Sequence, residues 1–122
     1  MKRDPDLIRK ILLWAEEIPP GEYHHGPVEI EGYDEPTVVE HVLLMYEAGF
    51  LEAAFTELID GTKLLNVVFR LLNPGHDMLD AIRDDTIWNR TKERVGKTVG
   101  STTIEVMKGV AEGITKGMLG VP

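Results

Sequence analysis

The fold is decided by residues 35–72, EPTVVEHVLLMYEAGFLEAAFTELIDGTKLLNVVFRLL, which we expect to form a helix followed by a β-hairpin. Pro36 suits the first turn of a helix, and Thr37 and Glu40 stand at the spacing of a capping box. Gly49 is placed to end the helix in a left-handed conformation. The helical spacing predicts one buried face, formed by Val38, Val39, Val42, Leu43, Met45 and Tyr46.

Two segments rich in apolar and β-forming residues, 50–58 and 63–72, follow this helix. Between them stand residues 59–62, Ile-Asp-Gly-Thr. The Asp60-Gly61 pair tolerates positive φ, which closes tight hairpins. The sequence therefore predicts a β-hairpin directly after the helix.

Outward from this centre, the sequence predicts a helix on each side and one short strand. Asp4 and Pro5 are typical of a helix start, and apolar residues recur from there at helical spacing, which predicts a helix from about Pro5 to Glu17. Residues 19–21, Pro-Pro-Gly, end that helix, and the alternating residues 27–31 predict a short strand at a sheet edge. On the other side, Asn73 and Pro74 begin a helix that we expect to continue to about Arg94. The fold class is therefore α+β and mainly helical.

The last predicted helix, residues 101–119, contains three glycines spaced four residues apart: Gly109, Gly113 and Gly117. Each glycine lowers helix propensity by about 1 kcal/mol relative to alanine, so we expect this helix either to be stabilised by packing against a partner or to be frayed. Glycines four apart also allow close contact between helices. We predict a homodimer or a higher homo-oligomer and divide the chain into residues 1–94 and an oligomerisation segment, 95–122. The predicted contact residues follow a heptad-like spacing: Ile104, Met107, Ala111, Ile114 and Met118.

The composition is that of one globular domain of 122 residues, with 43% hydrophobic residues and no cysteine. The lack of cysteine excludes disulfides, thiolate metal sites and cysteine nucleophiles, and it favours a reducing, cytoplasmic location. No apolar stretch approaches the roughly 20 residues that span a bilayer, so we expect no membrane partner.

The net charge of −8 is concentrated in the middle of the chain. Residues 19–60 contain ten carboxylates and no Lys or Arg, whereas residues 81–122 contain seven basic and five acidic side chains. One interpretation is a solvated acidic face that serves solubility. The other is a binding surface for a basic protein partner, which we assign to Glu35, Glu40 and Glu47.

Two segments resemble winged-helix regulators. Residues 40–50, EHVLLMYEAGF, resemble the junction between a recognition helix and a wing, and residues 70–80, RLLNPGHDMLD, resemble the segment that closes the wing and opens the next helix. The resemblance implies a winged-helix-like domain with a β-hairpin wing and an additional C-terminal helix. The helix that normally precedes the recognition helix is reduced here to residues 32–35.

A further resemblance is more specific. Residues 1–4 and 6–13, MKRD and DLIRKILL, together with residues 75–92, GHDMLDAIRDDTIWNRTK, resemble the domain-of-unknown-function family 2513. This similarity extends over about residues 1–120. The family is bacterial, with members in prophages and mobile elements. It implies a winged-helix-like fold and no particular activity.

DNA binding is the function that a winged-helix fold first suggests, and it requires cations near phosphates. The start of the predicted recognition helix carries Glu35 and Glu40 but no Lys or Arg, so phosphates would repel it. Another nucleic-acid surface would combine the wing with a basic run: Lys63, Arg70, Arg83, Arg90, Lys92, Arg94 and Lys97. The alternative is that these side chains form ion pairs on solvated helix faces.

The remaining motifs give no chemistry. His24, His25, His41 and His76 lack the spacing of a metal site, and the sequence contains neither a phosphate-binding loop nor a nucleophile elbow. We therefore expect no metal, no cofactor and no enzyme activity. Two functions stay open: a transcriptional-regulator-like DNA-binding protein, and a protein-interaction adaptor that uses the acidic face of residues 22–60.

Overall fold

The computed structural model describes residues 1–98 and 103–120. The described elements, in chain order, are α1 (Pro5–Glu16), β1 (His24–His25), α2 (Glu35–Glu47), β2 (Leu51–Glu57), β3 (Lys63–Leu71), α3 (Asn73–Ile82), α4 (Asp85–Thr98) and α5 (Ile104–Leu119). The α+β class and a winged-helix-like order of helix, strand, helix, hairpin and helix are confirmed.

The chain forms two compact units, Met1–His76 and Asp77–Pro122, called unit 1 and unit 2 below. This division is one of spatial packing, and the division into residues 1–94 and 95–122 stays a prediction. No helix among the described residues combines the length and the apolar character that crossing a membrane requires.

In unit 1, α1 begins where the sequence predicts. The carboxylate of Asp4 accepts hydrogen bonds from the N–H groups of Asp6, at 2.9 Å, and Leu7, at 3.3 Å. These bonds satisfy donors that the first helical turn leaves without partners. The helix buries one face in the core of the unit: Leu7, Ile8, Ile11, Leu12 and Ala15.

The sheet of unit 1 is antiparallel in the order β1-β3-β2, with β3 in the middle. The prediction of an edge strand at residues 27–31 was wrong, because the edge strand is His24–His25. Gly26 adopts φ +87°, and Pro27 has no N–H to donate, so the chain leaves the sheet at this point. Val28 is only 1% exposed, and it packs into the core without belonging to a strand.

The predicted hairpin joins β2 to β3. The Leu58 N–H donates to the Thr62 carbonyl at 2.7 Å, and the Gly61 N–H donates to the Leu58 carbonyl at 2.9 Å. Gly61 has φ +88°, while every other residue of this turn has a negative φ. The loop is therefore a three-residue turn that places only its glycine in the left-handed region.

The start and the buried face of α2 differ from the prediction. Asp34, rather than Thr37, caps the helix, because its carboxylate accepts the Thr37 N–H at 2.9 Å. The buried residues are Val38, His41, Val42 and Met45. Tyr46 is 45% exposed, and Val39 and Leu43 are half-buried. The end of the helix is as predicted, since Gly49 has φ +78°.

Two helices, α3 and α4, replace the single helix that was predicted to run from residue 73 to about residue 94. The break falls at residues 83–84. The carboxylate of Asp84 accepts the Ile87 N–H at 2.9 Å, and its carbonyl accepts the Trp88 N–H at 2.9 Å. Asp84 therefore begins a new helix, α4, which packs against α5.

The stripe assigned to self-association lies on α5. Met107, Ala111 and Ile114 are buried within the chain, Ile104 is half-buried, and Met118 is 54% exposed. The glycine row is exposed, and a Cβ added at any of its three positions would meet nothing within 4 Å. Among residues 1–98 and 103–120, these glycines therefore make no close helix contact, and self-association stays a prediction.

Candidate interaction groove on unit 1

A groove of about 500 Å³ lies between the first half of α2 and the tip of the hairpin. We call it the α2–hairpin groove and define it by its lining residues: Glu35, Pro36, Val39, Glu40, Leu43, Gly61, Thr62, Lys63 and Leu64. In the winged-helix-like arrangement, α2 corresponds to the recognition helix and the β2–β3 hairpin to the wing, so the groove lies between these two elements. The groove therefore lies where two elements of the fold each present an exposed edge.

The floor of the groove is apolar because α2 is turned relative to the prediction. His41 takes a core position, so Val39 and Leu43 are left half-buried and line the groove. Leu64 lines it from the hairpin and is 48% exposed. Apolar surface that remains accessible in a concave site is typical of binding grooves.

The rim of the groove is acidic. Glu35 and Glu40 line it, and both are exposed. The single cation among the lining residues, Lys63, lies 3.5 Å from the carboxylate of Glu57, which offsets its charge. The groove therefore presents a negative potential to an approaching ligand.

Asp34 and Asp60 hold the two sides of the groove in place. The hydrogen bonds of Asp34 with the side chain and backbone of Thr37 keep the pKa of this carboxyl below its usual value. The Thr62 backbone N–H and side chain lower the pKa of Asp60 in the same way, and its carboxylate accepts that N–H at 2.9 Å. Both groups carry a negative charge at neutral pH and add to the acidity of unit 1.

The hairpin tip is apolar and acidic rather than basic. Ile59 is fully exposed, Leu58 is 43% exposed, and Asp60 lies between Ile59 and the glycine of the turn. A wing that contacts DNA presents cations to phosphates. The exposed residues at this tip, Leu58, Ile59 and Asp60, include no cation.

His41 fixes the position of α2 against the start of α1. Its Nδ1–H donates to the Thr37 carbonyl at 2.8 Å, and its Nε2 accepts the Asp4 N–H at 2.9 Å. The imidazole is fully buried. Tyr33 joins this cluster, because burial, a hydrogen bond to Asp4 and the charges of Asp4 and Asp6 raise the pKa of its phenol. These contacts could not be predicted from a sequence motif, because Asp4 and His41 are 37 residues apart.

Of the three carboxylates assigned to a protein partner, Glu35 and Glu40 lie at the groove, whereas Glu47 does not line it. Glu47 is the last residue of α2 and is exposed. The structure thus brings together two of the three residues.

The basic residues assigned to nucleic acid are divided between the two units. In unit 1, Lys63 pairs with Glu57, and Arg70 donates to the Leu71 carbonyl at 3.5 Å.

In unit 2, Arg83 pairs with Asp80 at 3.1 Å, and the ammonium of Lys92 lies 5.8 Å from the centre of the Trp88 ring. Arg90 and Arg94 stand one turn apart on α4 and are both exposed. The side chain of Lys97 lies outside the described residues.

Comparison with known proteins assigns the chain to a family. The chain matches the family model described as "Hypothetical protein (DUF2513)" over residues 2–102. It is also 37% identical over 122 residues to an "Uncharacterized protein" of Haemophilus influenzae, an alignment that covers 98% of this chain and 99% of that protein. No solved structure matches the chain.

Proposed function

The chain belongs to the DUF2513 family, and we propose that it acts without catalysis, as an adaptor that binds a partner protein through the α2–hairpin groove. The occupant is a short segment with an aliphatic anchor flanked by Lys or Arg. One observation carries the proposal: the groove combines an apolar floor, formed by Val39, Leu43 and Leu64, with a rim formed by Glu35 and Glu40.

The floor and the rim contribute differently to binding. Burial of apolar surface stabilises a complex by about 25 cal/mol per Å², so an aliphatic anchor would supply most of the affinity. The exposed carboxylates add roughly 0.2–1 kcal/mol for each pair with a cation, and they also steer a basic segment to the groove. Specificity for basic segments therefore depends on Glu35 and Glu40.

The proposal is tested by selecting peptides from a random library with the intact protein and measuring the Kd of the enriched sequences by fluorescence anisotropy. We expect enriched peptides to combine Leu, Ile or Val with flanking Lys or Arg. We expect the double variant Glu35→Gln/Glu40→Gln to raise the Kd of these peptides by about threefold or more. Leu64→Lys, at an exposed position, should also raise it.

Glu47→Gln is the matched control, because it removes an exposed carboxylate of the same helix outside the groove. It should leave the Kd unchanged at fixed ionic strength. Enriched peptides without basic residues, or an equal effect of Glu47→Gln, would contradict the proposal.

DNA binding through α4 is the second candidate, favoured by the exposed pair Arg90 and Arg94. Two such cations support weak, salt-dependent binding of phosphates. Labelled duplex DNA titrated at two salt concentrations tests it. The double variant Arg90→Gln/Arg94→Gln should abolish binding, while Lys108→Gln, on α5, should have little effect. If wild type shows no salt-sensitive binding at low ionic strength, this candidate is wrong.

A further inference from the structure

A second cleft of unit 1 is lined by aromatic rings and carboxylates. It lies between the end of α1 and strand β1, has a volume of about 520 Å³, and is lined by Trp14, Glu17, Ile18, Pro19, Glu22, Tyr23 and His24. It shares no lining residue with the α2–hairpin groove. Its volume lies within the range of small-molecule sites.

The rings of this cleft are held by contacts with other rings and with a backbone carbonyl. The Trp14 and His24 rings meet edge to face, with centroids 4.8 Å apart. The Nε2–H of His24 donates to the Pro27 carbonyl at 2.8 Å, which fixes the imidazole. Tyr23 packs edge to face on Phe69 at 5.0 Å, yet it is 55% exposed. The rings are therefore oriented before any ligand binds.

The charged groups of the cleft have one sign. Glu17 and Glu22 line it and are exposed, and none of its lining residues is Lys or Arg. Aromatic rings attract cations through the negative potential of their faces, and carboxylates add a direct attraction. A neutral ligand of the same shape would gain only the contact with the rings.

We propose that this cleft binds an alkylammonium group, with Trp14 and Tyr23 contacting its methyl or methylene groups and Glu17 and Glu22 balancing its charge. The cleft is larger than a trimethylammonium headgroup, so it has room for the chain to which the headgroup is attached. This proposal does not depend on the function of the α2–hairpin groove.

The charge requirement is tested by titrating ¹⁵N-labelled protein with choline and, separately, with 3,3-dimethyl-1-butanol, its neutral isostere. We expect choline to bind with a millimolar Kd and to shift the backbone amide resonances of residues 14–18 and 21–24. The neutral isostere should bind at least about threefold more weakly. Equal binding of the two compounds, or shifts spread over residues outside the cleft, would overturn the proposal.

Variants with matched controls test the assigned residues. The single variant Tyr23→Ala and the double variant Glu17→Gln/Glu22→Gln should each raise the Kd for choline about two- to fivefold. Tyr46→Ala and Glu47→Gln are the controls: Tyr46 is 45% exposed and also packs edge to face, on Phe55, but neither residue lines the cleft. If the cleft variants bind choline as wild type does, the proposal is wrong.

A third measurement identifies the source of the cation. A short peptide that carries trimethyl-lysine is compared with the same peptide carrying lysine and with choline. Tighter binding of either peptide assigns the cleft to a side chain of a protein partner, and tighter binding of choline assigns it to a free small cation. If none of the three shifts residues 14–24 at millimolar concentration, no alkylammonium site exists there.

Discussion

His41 is a polar side chain in the core of unit 1, and both its ring nitrogens have hydrogen-bond partners. His41→Ala would leave a cavity and would also remove the acceptor of the Asp4 N–H. Core truncations and lost buried partners each cost a few kcal/mol, so we expect a loss of about 2–4 kcal/mol in the free energy of unfolding. Urea denaturation followed by circular dichroism measures it.

His76→Ala is the matched control for this change. His76 is exposed, and an exposed substitution usually changes stability by less than about 0.5 kcal/mol. If the two variants lose the same stability, His41 does not connect α1 with α2 in the way its hydrogen bonds indicate.

Asp34 gives the cap of α2 a pH dependence. Hydrogen bonds with Thr37 hold its pKa below the usual value in the folded state. A carboxyl whose pKa is lowered by folding stabilises the protein above its unfolded pKa of about 3.9, and this contribution is lost as the pH falls through the folded pKa. Asp34→Ala should therefore lower the urea midpoint at neutral pH, and the difference from wild type should shrink as the pH falls below about 4. A difference that stays constant down to about pH 2 would contradict this account.

The elements differ in how they tolerate a methyl group at a glycine. A Cβ on Gly75, near the start of α3, would clash with the carbonyl oxygen of Phe50 and lie 2.9 Å from its carbonyl carbon. That oxygen already accepts the Leu72 N–H at 2.9 Å, so it cannot move away without losing this bond. Gly75→Ala should therefore lower the free energy of unfolding by about 1–3 kcal/mol.

Gly113, in α5, is the contrasting position, because a Cβ added there would meet no atom within 4 Å. Gly113→Ala should raise the free energy of unfolding by up to about 1 kcal/mol. Thermal denaturation measures the stability of the two variants. If both variants are more stable than wild type, the Phe50 carbonyl moves to make room for the added methyl group.

The sequence predicted those elements whose signals are local, and it missed those that depend on distant partners. The cap at Asp4, the turn at Gly61 and the stop at Gly49 are set by neighbouring residues, and all three are present. The break at Asp84 was missed because the apolar spacing continues across it. A cap can restart a helix without changing that spacing.

The groove was missed for a related reason. Val39 and Leu43 fit a buried stripe as well as His41 does, and only the contacts of His41 with Asp4 and Thr37 decide which face of α2 is turned inward. Glu35 and Glu40 were found because an unbalanced run of carboxylates is visible in the sequence. The sequence thus identified the acidic residues of the groove, but it did not predict that Val39 and Leu43 form an accessible apolar floor.

For the molecule as a whole, charge follows the division into units. Unit 1 contains fourteen carboxylates and six Lys or Arg residues, whereas unit 2 contains seven of each, so the entire net charge of −8 belongs to unit 1. A partner attracted by charge would therefore bind unit 1. Because exposed charges are screened by salt, that attraction should weaken as ionic strength rises.

Self-association of whole molecules is predicted to use the exposed end of α5 rather than charge. Of the five residues assigned to this contact, Met118 is 54% exposed, and the neighbouring Leu119 is 72% exposed. Apolar contacts are not weakened by moderate salt, whereas contacts between acidic unit 1 and basic α4 of a second copy would be. We expect sedimentation equilibrium to show an association that persists at high salt and is lost in Met118→Lys/Leu119→Lys. Glu35→Gln/Glu40→Gln should leave this association unchanged.

Point changes are preferable to deletion of α5, because that helix packs against α4 within the same chain. A monomer at every concentration would refute self-association, and an association lost at high salt would assign it to charge instead.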